Sequence, residues 1–114
     1  MPSTSAPNVQ PTRDPLALRQ DLCAALGAAS APADMATLLA DLCTPAEIDT
    51  LAERWHVARL LDGTDLSYRD IHDATGVSTT TIVRVARFLK TEPHGGYRRV
   101  LDRLRGGPEP SDVR

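Results

Sequence analysis

The sequence predicts an all-α fold. Apolar residues make up 41% of the 114 residues, whereas aromatic residues make up only 4%. Leucine and alanine supply most of the apolar side chains, and both suit packed helices better than a β-sandwich. Apolar residues also recur at spacings of three and four, the period of an amphipathic helix. A chain of this length has room for one compact domain of about 100–150 residues.

The two ends of the chain have a different composition from its centre. Residues 1–13 are rich in Pro, Ser and Thr, and Gly106-Gly107 precedes two further prolines. Such segments bury too little surface to offset their ordering entropy. We therefore expect a disordered arm at 1–13, a helical domain at 14–105 and a flexible tail at 106–114. No apolar run is long enough to span a bilayer and no signal peptide is evident, so we expect a cytoplasmic protein.

The first two helices are predicted by their boundary residues. Asp14-Pro15 supplies an N-cap and a first helical residue, and Gly27 is expected to end the helix. The second helix should begin near Pro32 and stop before Thr44, with its apolar face formed by Met35, Leu38, Leu39 and Leu42. Cys23 and Cys43 have no His or Cys at ligand spacing, so we interpret both as small buried hydrophobes and expect no metal site.

The third helix has the clearest boundary. Thr44-Pro45-Ala46-Glu47 combines an N-cap, a proline at the first helical position and a glutamate able to complete a capping box. Asp62-Gly63 is expected to end the helix. Its predicted apolar stripe is Ile48, Leu51, Ala52, Trp55, Ala58 and Leu61. Trp55, the only tryptophan, is interpreted as an anchor of the core or of a dimer interface.

Residues 67–91 predict two helices joined by a tight turn. Ser67 can cap a short helix to Ala74, with Ile71 and Ala74 directed inward. Gly76 allows the sharp turn, Val77 fills the corner, and Ser78 caps the next helix. That helix should bury Ile82, Val85, Ala86 and Leu89. The pattern is typical of a helix-turn-helix, whose second helix enters the major groove of DNA.

The candidate DNA contacts lie on the outer side of this hairpin. Threonine hydroxyls and methyls can meet base edges, and arginines can bind guanine or phosphate. The predicted DNA-binding residues are Arg69, His72, Ser78, Thr79, Thr80, Thr81, Val83, Arg84 and Arg87. The alternative is an ordinary αα-hairpin with a solvated basic face, in which Arg69 forms a surface salt bridge and His72 is exposed and uncharged.

The distribution of charge supports a nucleic-acid partner although the total does not. The net charge is −2 and the isoelectric point is near 5.8. Residues 78–105, however, carry seven basic and two acidic side chains. One end of the protein is therefore expected to be a basic surface.

Other function classes find little support. No nucleophile, base and acid recur at catalytic spacing, no glycine-rich phosphate loop precedes a helix, and His56, His72 and His94 are scattered. We expect no enzyme activity and no cofactor. A protein-interaction adaptor that uses the hairpin surface, or a regulator that responds to a small molecule, remains an alternative.

The segments Leu42 to Glu47, Leu51 to Arg54 and Ser67 to Arg84 together resemble the Trp repressor superfamily, and in particular its YerC/YecD-type bacterial branch. The similarity covers roughly residues 35–105. It implies six helices in an intertwined homodimer, with the first three helices and the last, which carries Tyr97, Val100, Leu101 and Leu104, in a shared core. Each subunit would present its helix-turn-helix to a palindromic operator in double-stranded DNA, most simply as a repressor.

The resemblance also implies a corepressor pocket, which this sequence alters. Thr44, Arg54 and Arg84 agree with the tryptophan-binding pattern of the family. Val85 and Phe88, however, replace the glycine that admits the indole and the serine that helps to receive the ammonium group. Since packed interiors tolerate little added volume, we expect L-tryptophan not to bind and Phe88 to occupy the pocket.

Overall fold

The structure is a computed structural model, and it describes residues 9–106. Within that range the chain forms six α-helices and no strand, which confirms the all-α prediction. The helices are α1 (Pro15–Ala28), α2 (Pro32–Leu42), α3 (Pro45–Gly63), α4 (Tyr68–Thr75), α5 (Thr79–Lys90) and α6 (Gly96–Leu104). The first two belong to one compact unit and the other four to a second. The predicted arm and tail fall mainly at residues 1–8 and 107–114, outside the described range.

The first unit contains α1 and α2. The Asp14 carboxylate accepts a hydrogen bond from the Leu16 amide at 3.1 Å and caps α1 as predicted. Gly27 does not end α1, because its backbone stays helical and the Ala29 amide still donates to the carbonyl of Ala25 at 3.1 Å. Helix α2 begins at Pro32 and ends before Thr44, as the sequence predicts. No residue of either helix is fully buried.

The cysteine prediction is wrong for Cys23, which is exposed on α1, whereas Cys43 is partly buried. Helix α1 has leucines on several sides, among them Leu16, Leu18 and Leu22, and all three are exposed in the single chain. Cys23 therefore lies on a helix whose apolar side chains are largely exposed.

The core of the second unit lies where α3 and α4 pack on α5. It consists of Val57, Ala58, Ile71, Val77, Ile82 and Val85. The predicted stripe of α3 is partly wrong, because Leu51 and Ala52 are exposed whereas the unpredicted Val57 is fully buried. The core residues of α3, Val57 and Ala58, lie in its second half, whereas Leu51 and Ala52 lie in its first half.

Charged side chains join α6 to the end of α3, and Leu101 of α6 is buried. The Asp62 carboxylate, only 11% exposed, accepts a hydrogen bond from Arg98 at 2.8 Å and a second one from Arg105. Arg98 also bonds Asp102 one turn along α6 at 3.1 Å. Two arginines of the predicted basic surface are therefore partly neutralised by carboxylates.

None of the helices within residues 9–106 has both the length and the apolar character needed to cross a membrane.

Candidate nucleic-acid interface

Helix α4 begins with a reciprocal cap. The Ser67 hydroxyl accepts from the Asp70 amide at 3.0 Å, and the Asp70 carboxylate accepts from the Ser67 amide at 3.1 Å. The Ser67 cap was predicted, whereas the role of Asp70 was not, although an acidic residue three positions after a serine is the signal of a capping box. Ile71 is fully buried as predicted, but Ala74 is exposed. Thr75, the last residue of α4, is partly buried, and its hydroxyl donates to the Ile71 carbonyl at 2.6 Å.

The turn between α4 and α5 is defined by backbone geometry and by side-chain hydrogen bonds. Gly76 has φ of +76°, a conformation that side chains disfavour. The Thr75 hydroxyl accepts from the Val77 amide at 3.1 Å, and Val77 itself is buried in the core. The His72 ring nitrogen Nδ1 lies 2.8 Å from the Val77 carbonyl oxygen. The turn therefore holds α5 in a fixed position relative to α4.

The first turn of α5 presents two hydroxyl groups outward. The Ser78 hydroxyl accepts from the Thr81 amide at 3.2 Å and donates to the Thr81 hydroxyl at 3.1 Å. Ser78 and Thr81 are thus occupied in capping the helix. Thr79 and Thr80 are exposed, and their hydroxyls enter none of the hydrogen bonds found within residues 9–106. These two threonines are available for a ligand.

The rest of α5 separates clearly into an inner and an outer side. Ile82, Val85 and Ala86 are buried as predicted, and Leu89 is half-buried. Val83, Arg84, Arg87 and Lys90 are exposed. With Thr79 and Thr80, these residues form one continuous outer face along the helix, which we call the α5 outer face.

Helix α4 contributes to the same surface. An open cleft of about 410 Å³ is lined by Arg69, His72, Asp73 and Thr79, so the structure brings two predicted α4 contacts beside the start of α5. Arg69 lies 3.9 Å from Asp73, and its side chain is 89% exposed. Such an exposed ion pair is weak, so Arg69 can leave it for a phosphate at little cost.

Arg84 and Arg87 form a second group farther along α5. The guanidinium carbon of Arg84 lies 4.4 Å from the centre of the Phe88 ring, and that of Arg87 lies 5.1 Å from it. His94 stacks on the same ring at 5.8 Å. Phe88 therefore orients both arginines by cation–π contact.

The residues of the predicted effector pocket have different environments. Val85 is fully buried, and Phe88 is half-buried beneath Arg84. On α3, the Nε atom of Arg54 is buried without a hydrogen-bond partner within the described range. Thr44 belongs to the first unit and the other four residues to the second.

An aromatic groove next to Phe88 was not predicted. Trp55 stacks on Tyr97 with 6.3 Å between ring centres. These rings join Phe88, His94 and Val100 around an apolar cavity of about 610 Å³. Trp55 and Tyr97 were predicted to lie in the apolar stripes of two separate helices, and nothing in their spacing along the sequence signals this contact. Among residues 9–106 no three His, Cys, Asp or Glu side chains are grouped so that they could hold a metal ion.

Comparison with known proteins agrees with this geometry. The family described as "Trp repressor protein" matches residues 18–105. The "Uncharacterized protein YerC" of Bacillus subtilis (strain 168) is 45% identical over 65 residues, or 57% of this chain. The match spans 61% of that relative's length, which is less than two thirds.

A solved structure gives the same result. The crystal structure of a TrpR-like protein from Eubacterium eligens ATCC 27750 matches with a TM-score of 0.71 at 33% identity, over 82% of this chain and 94% of that one. The resemblance inferred from residues 35–105 is thereby confirmed, and the family match begins earlier, at residue 18. Since that match covers most of its length, the chain belongs to the Trp repressor family, as a YerC-type relative.

Proposed function

We propose that this protein is a sequence-specific, DNA-binding transcriptional regulator that acts as a homodimer without L-tryptophan as corepressor. Membership of the Trp repressor family indicates a helix-turn-helix DNA-binding regulator rather than an enzyme. The observation that carries the proposal is the α5 outer face, which combines exposed threonines at the helix start with arginines farther along. A helix of this kind can enter the major groove with its first turn against the base edges.

The proposed contacts divide into two roles. Thr79, Thr80 and Val83 would read base edges, because hydroxyls can hydrogen-bond either kind of base and apolar groups can contact the thymine methyl. Arg69, His72 and Arg87 would bind phosphates, and the helix N-terminus would add a favourable dipole. Ser78 and Thr81 would act indirectly, by fixing the first turn of α5.

The homodimer is supported by apolar side chains that the single chain leaves uncovered. On α1, α2 and α3 five leucines are between 43% and 61% exposed: Leu16, Leu18, Leu22, Leu42 and Leu51. Exposed leucines in such number are a liability for a monomer, whereas a second copy could bury them. The α5 helices of the two subunits, related by a two-fold axis, would then bind the two halves of a palindromic operator. Protein bound there would block transcription.

The independence from L-tryptophan is supported by Phe88 and Val85. The Phe88 ring already lies against Arg84, where the family pattern would have an indole stacked on an arginine. Val85 is fully buried, and its side chain occupies space that the glycine of the family pattern would leave open. We therefore infer that Phe88 holds Arg84 in a binding-ready position without a ligand.

The salt dependence of DNA binding tests this function against the adaptor alternative. Contacts to four or more phosphates should give a plot of log affinity against log salt with a slope of about −3 or steeper. Arg69→Ala should reduce the magnitude of that slope by about two units, because each subunit of the homodimer loses one phosphate contact. Fluorescence anisotropy with a labelled duplex measures both values.

Arg19→Ala is the matched control, since Arg19 is an exposed arginine on α1 outside the proposed interface. Its slope should equal that of the parent protein. Absence of duplex binding at low salt, with the protein folded, would favour an adaptor over a DNA-binding regulator.

A further inference from the structure

The His72 side chain has one ring nitrogen committed to the turn. Its Nδ1 lies 2.8 Å from the carbonyl oxygen of Val77, and the His72 carbonyl in turn accepts from the Gly76 amide at 2.8 Å. Because a carbonyl oxygen can only accept, Nδ1 must carry the proton in this hydrogen bond. The structure thus assigns the tautomer of the neutral ring.

This assignment decides what the other ring nitrogen can do. In a neutral imidazole with its proton on Nδ1, Nε2 is an acceptor. The phosphate oxygens of DNA are also acceptors, so a neutral His72 would place a lone pair against a negative oxygen. Only the imidazolium form offers an Nε2–H donor while it keeps the bond to Val77, and a charge-assisted bond to phosphate is a strong one.

We propose that DNA binding by this protein takes up a proton on His72, whose Nε2–H then binds a backbone phosphate beside the start of α5. The inference rests on the proposed DNA-binding function and assigns one of its contacts a dependence on pH. Since the protonated form is the one that binds phosphate, affinity is highest at low pH and falls as the pH rises. Imidazole side chains as a class change charge between about pH 5 and 8.

The charged groups that face His72 are one positive and one negative side chain. In the cleft, α4 contributes Arg69 and Asp73, which lie 3.9 Å apart and compensate one another. Helix α5 contributes Thr79, which is uncharged, and the turn contributes the Val77 carbonyl. The proton on His72 would therefore add one net positive charge at the point where Arg69 and Thr79 also face the cleft.

The test is duplex binding by anisotropy between about pH 5.5 and 8.5 at fixed sodium concentration. A duplex of random sequence of about 30 base pairs suffices, because phosphate contacts do not depend on sequence. The parent protein should lose affinity with rising pH, by up to about tenfold per pH unit for each His72 engaged.

Two variants separate the contact from the structural role of the ring. His72→Asn places an amide nitrogen near the position of Nδ1, so it can still donate to Val77 but has no Nε2. His72→Gln offers an uncharged donor that does not titrate. Both should bind DNA more weakly than the parent at pH 6 and show little dependence on pH, with thermal midpoints near that of the parent at pH 8.

His56→Gln is the control, because His56 is an exposed histidine on α3 outside the proposed interface, and it should keep the pH dependence of the parent. A parent protein that binds equally well across the range would overturn the inference, as would an Asn variant that keeps the full pH dependence. In both cases DNA binding itself would stand. Failure to bind the duplex at any pH would overturn the proposed function and this inference together.

Discussion

Replacing Thr80 by Asp is expected to lower DNA affinity by about 100-fold or more while the protein remains folded. Thr80 is exposed in the first turn of α5, where the proposed complex brings the helix into the groove. A carboxylate there would face phosphates and base edges without a counter-charge. The same carboxylate interacts favourably with the positive end of the helix dipole, by about 0.3–1 kcal/mol, so the helix should not be weakened. The change thus opposes binding without opposing folding.

Thr80→Asn is the matched control for this charge, because asparagine has the shape of aspartate without its negative charge. It should lose much less affinity than the Asp variant. Anisotropy titrations and thermal unfolding of the three proteins give the comparison. If Thr80→Asp binds DNA as tightly as the parent protein, the first turn of α5 does not enter the groove.

The double substitution Phe88→Ser and Val85→Gly is expected to weaken DNA binding without ligand by about tenfold. The Phe88 ring contacts the guanidinium groups of both Arg84 and Arg87. Each exposed cation–π contact contributes about 0.5–1 kcal/mol, so the loss of both corresponds to an order of magnitude in affinity. Val85→Gly removes a fully buried side chain and adds a glycine within a helix, which should also lower the unfolding free energy by about 2–4 kcal/mol.

Circular dichroism at the titration temperature establishes that the double variant is folded. If it is not, Phe88→Ser alone keeps the test, since Phe88 is only half-buried. Phe88→Tyr retains the ring and should bind DNA like the parent. If a folded variant without the ring binds DNA as tightly as the parent, Phe88 does not hold Arg84 in the position needed for DNA binding.

The local features of this fold could be predicted because they depend on few neighbouring residues. Asp14-Pro15 fixes the start of α1, and Ser67 and Ser78 cap α4 and α5 through bonds within three residues. The turn depends on Gly76, whose positive φ few other residues adopt. Such signals act within one helical turn and are present in the sequence itself.

The errors arose where a side chain depends on distant parts of the chain. Leu51 and Ala58 lie seven residues apart on the same side of α3, but only Ala58 is buried, and only the packing of the helices reveals that difference. Cysteine is a residue type that is usually buried, but Cys23 is exposed and no residue of α1 is fully buried. Periodicity identifies an apolar stripe, but it does not say what covers it.

In the candidate interface, too, the positions set by neighbouring residues could be predicted, whereas the contacts with more distant residues could not. The outward positions of Thr79, Thr80 and Arg87 follow from the helical period once the buried positions are assigned. The hydrogen bond of His72 to Val77 spans five residues across a turn, and the contacts of Arg84 and His94 with Phe88 depend on rotamers. The sequence shows which of these side chains are charged, polar or aromatic, but it does not show which residues they contact.

The most direct test of ligand-independent, sequence-specific binding is to select fragments of the source genome with the purified protein, with and without L-tryptophan. Fragments retained after a moderate-salt wash are then sequenced. We expect a palindromic sequence to be enriched equally in both arms, because the α5 helices of the proposed homodimer are related by a two-fold axis. Enrichment only with L-tryptophan would contradict the roles given to Val85 and Phe88, and enrichment of no sequence in either arm would contradict the DNA-binding account itself.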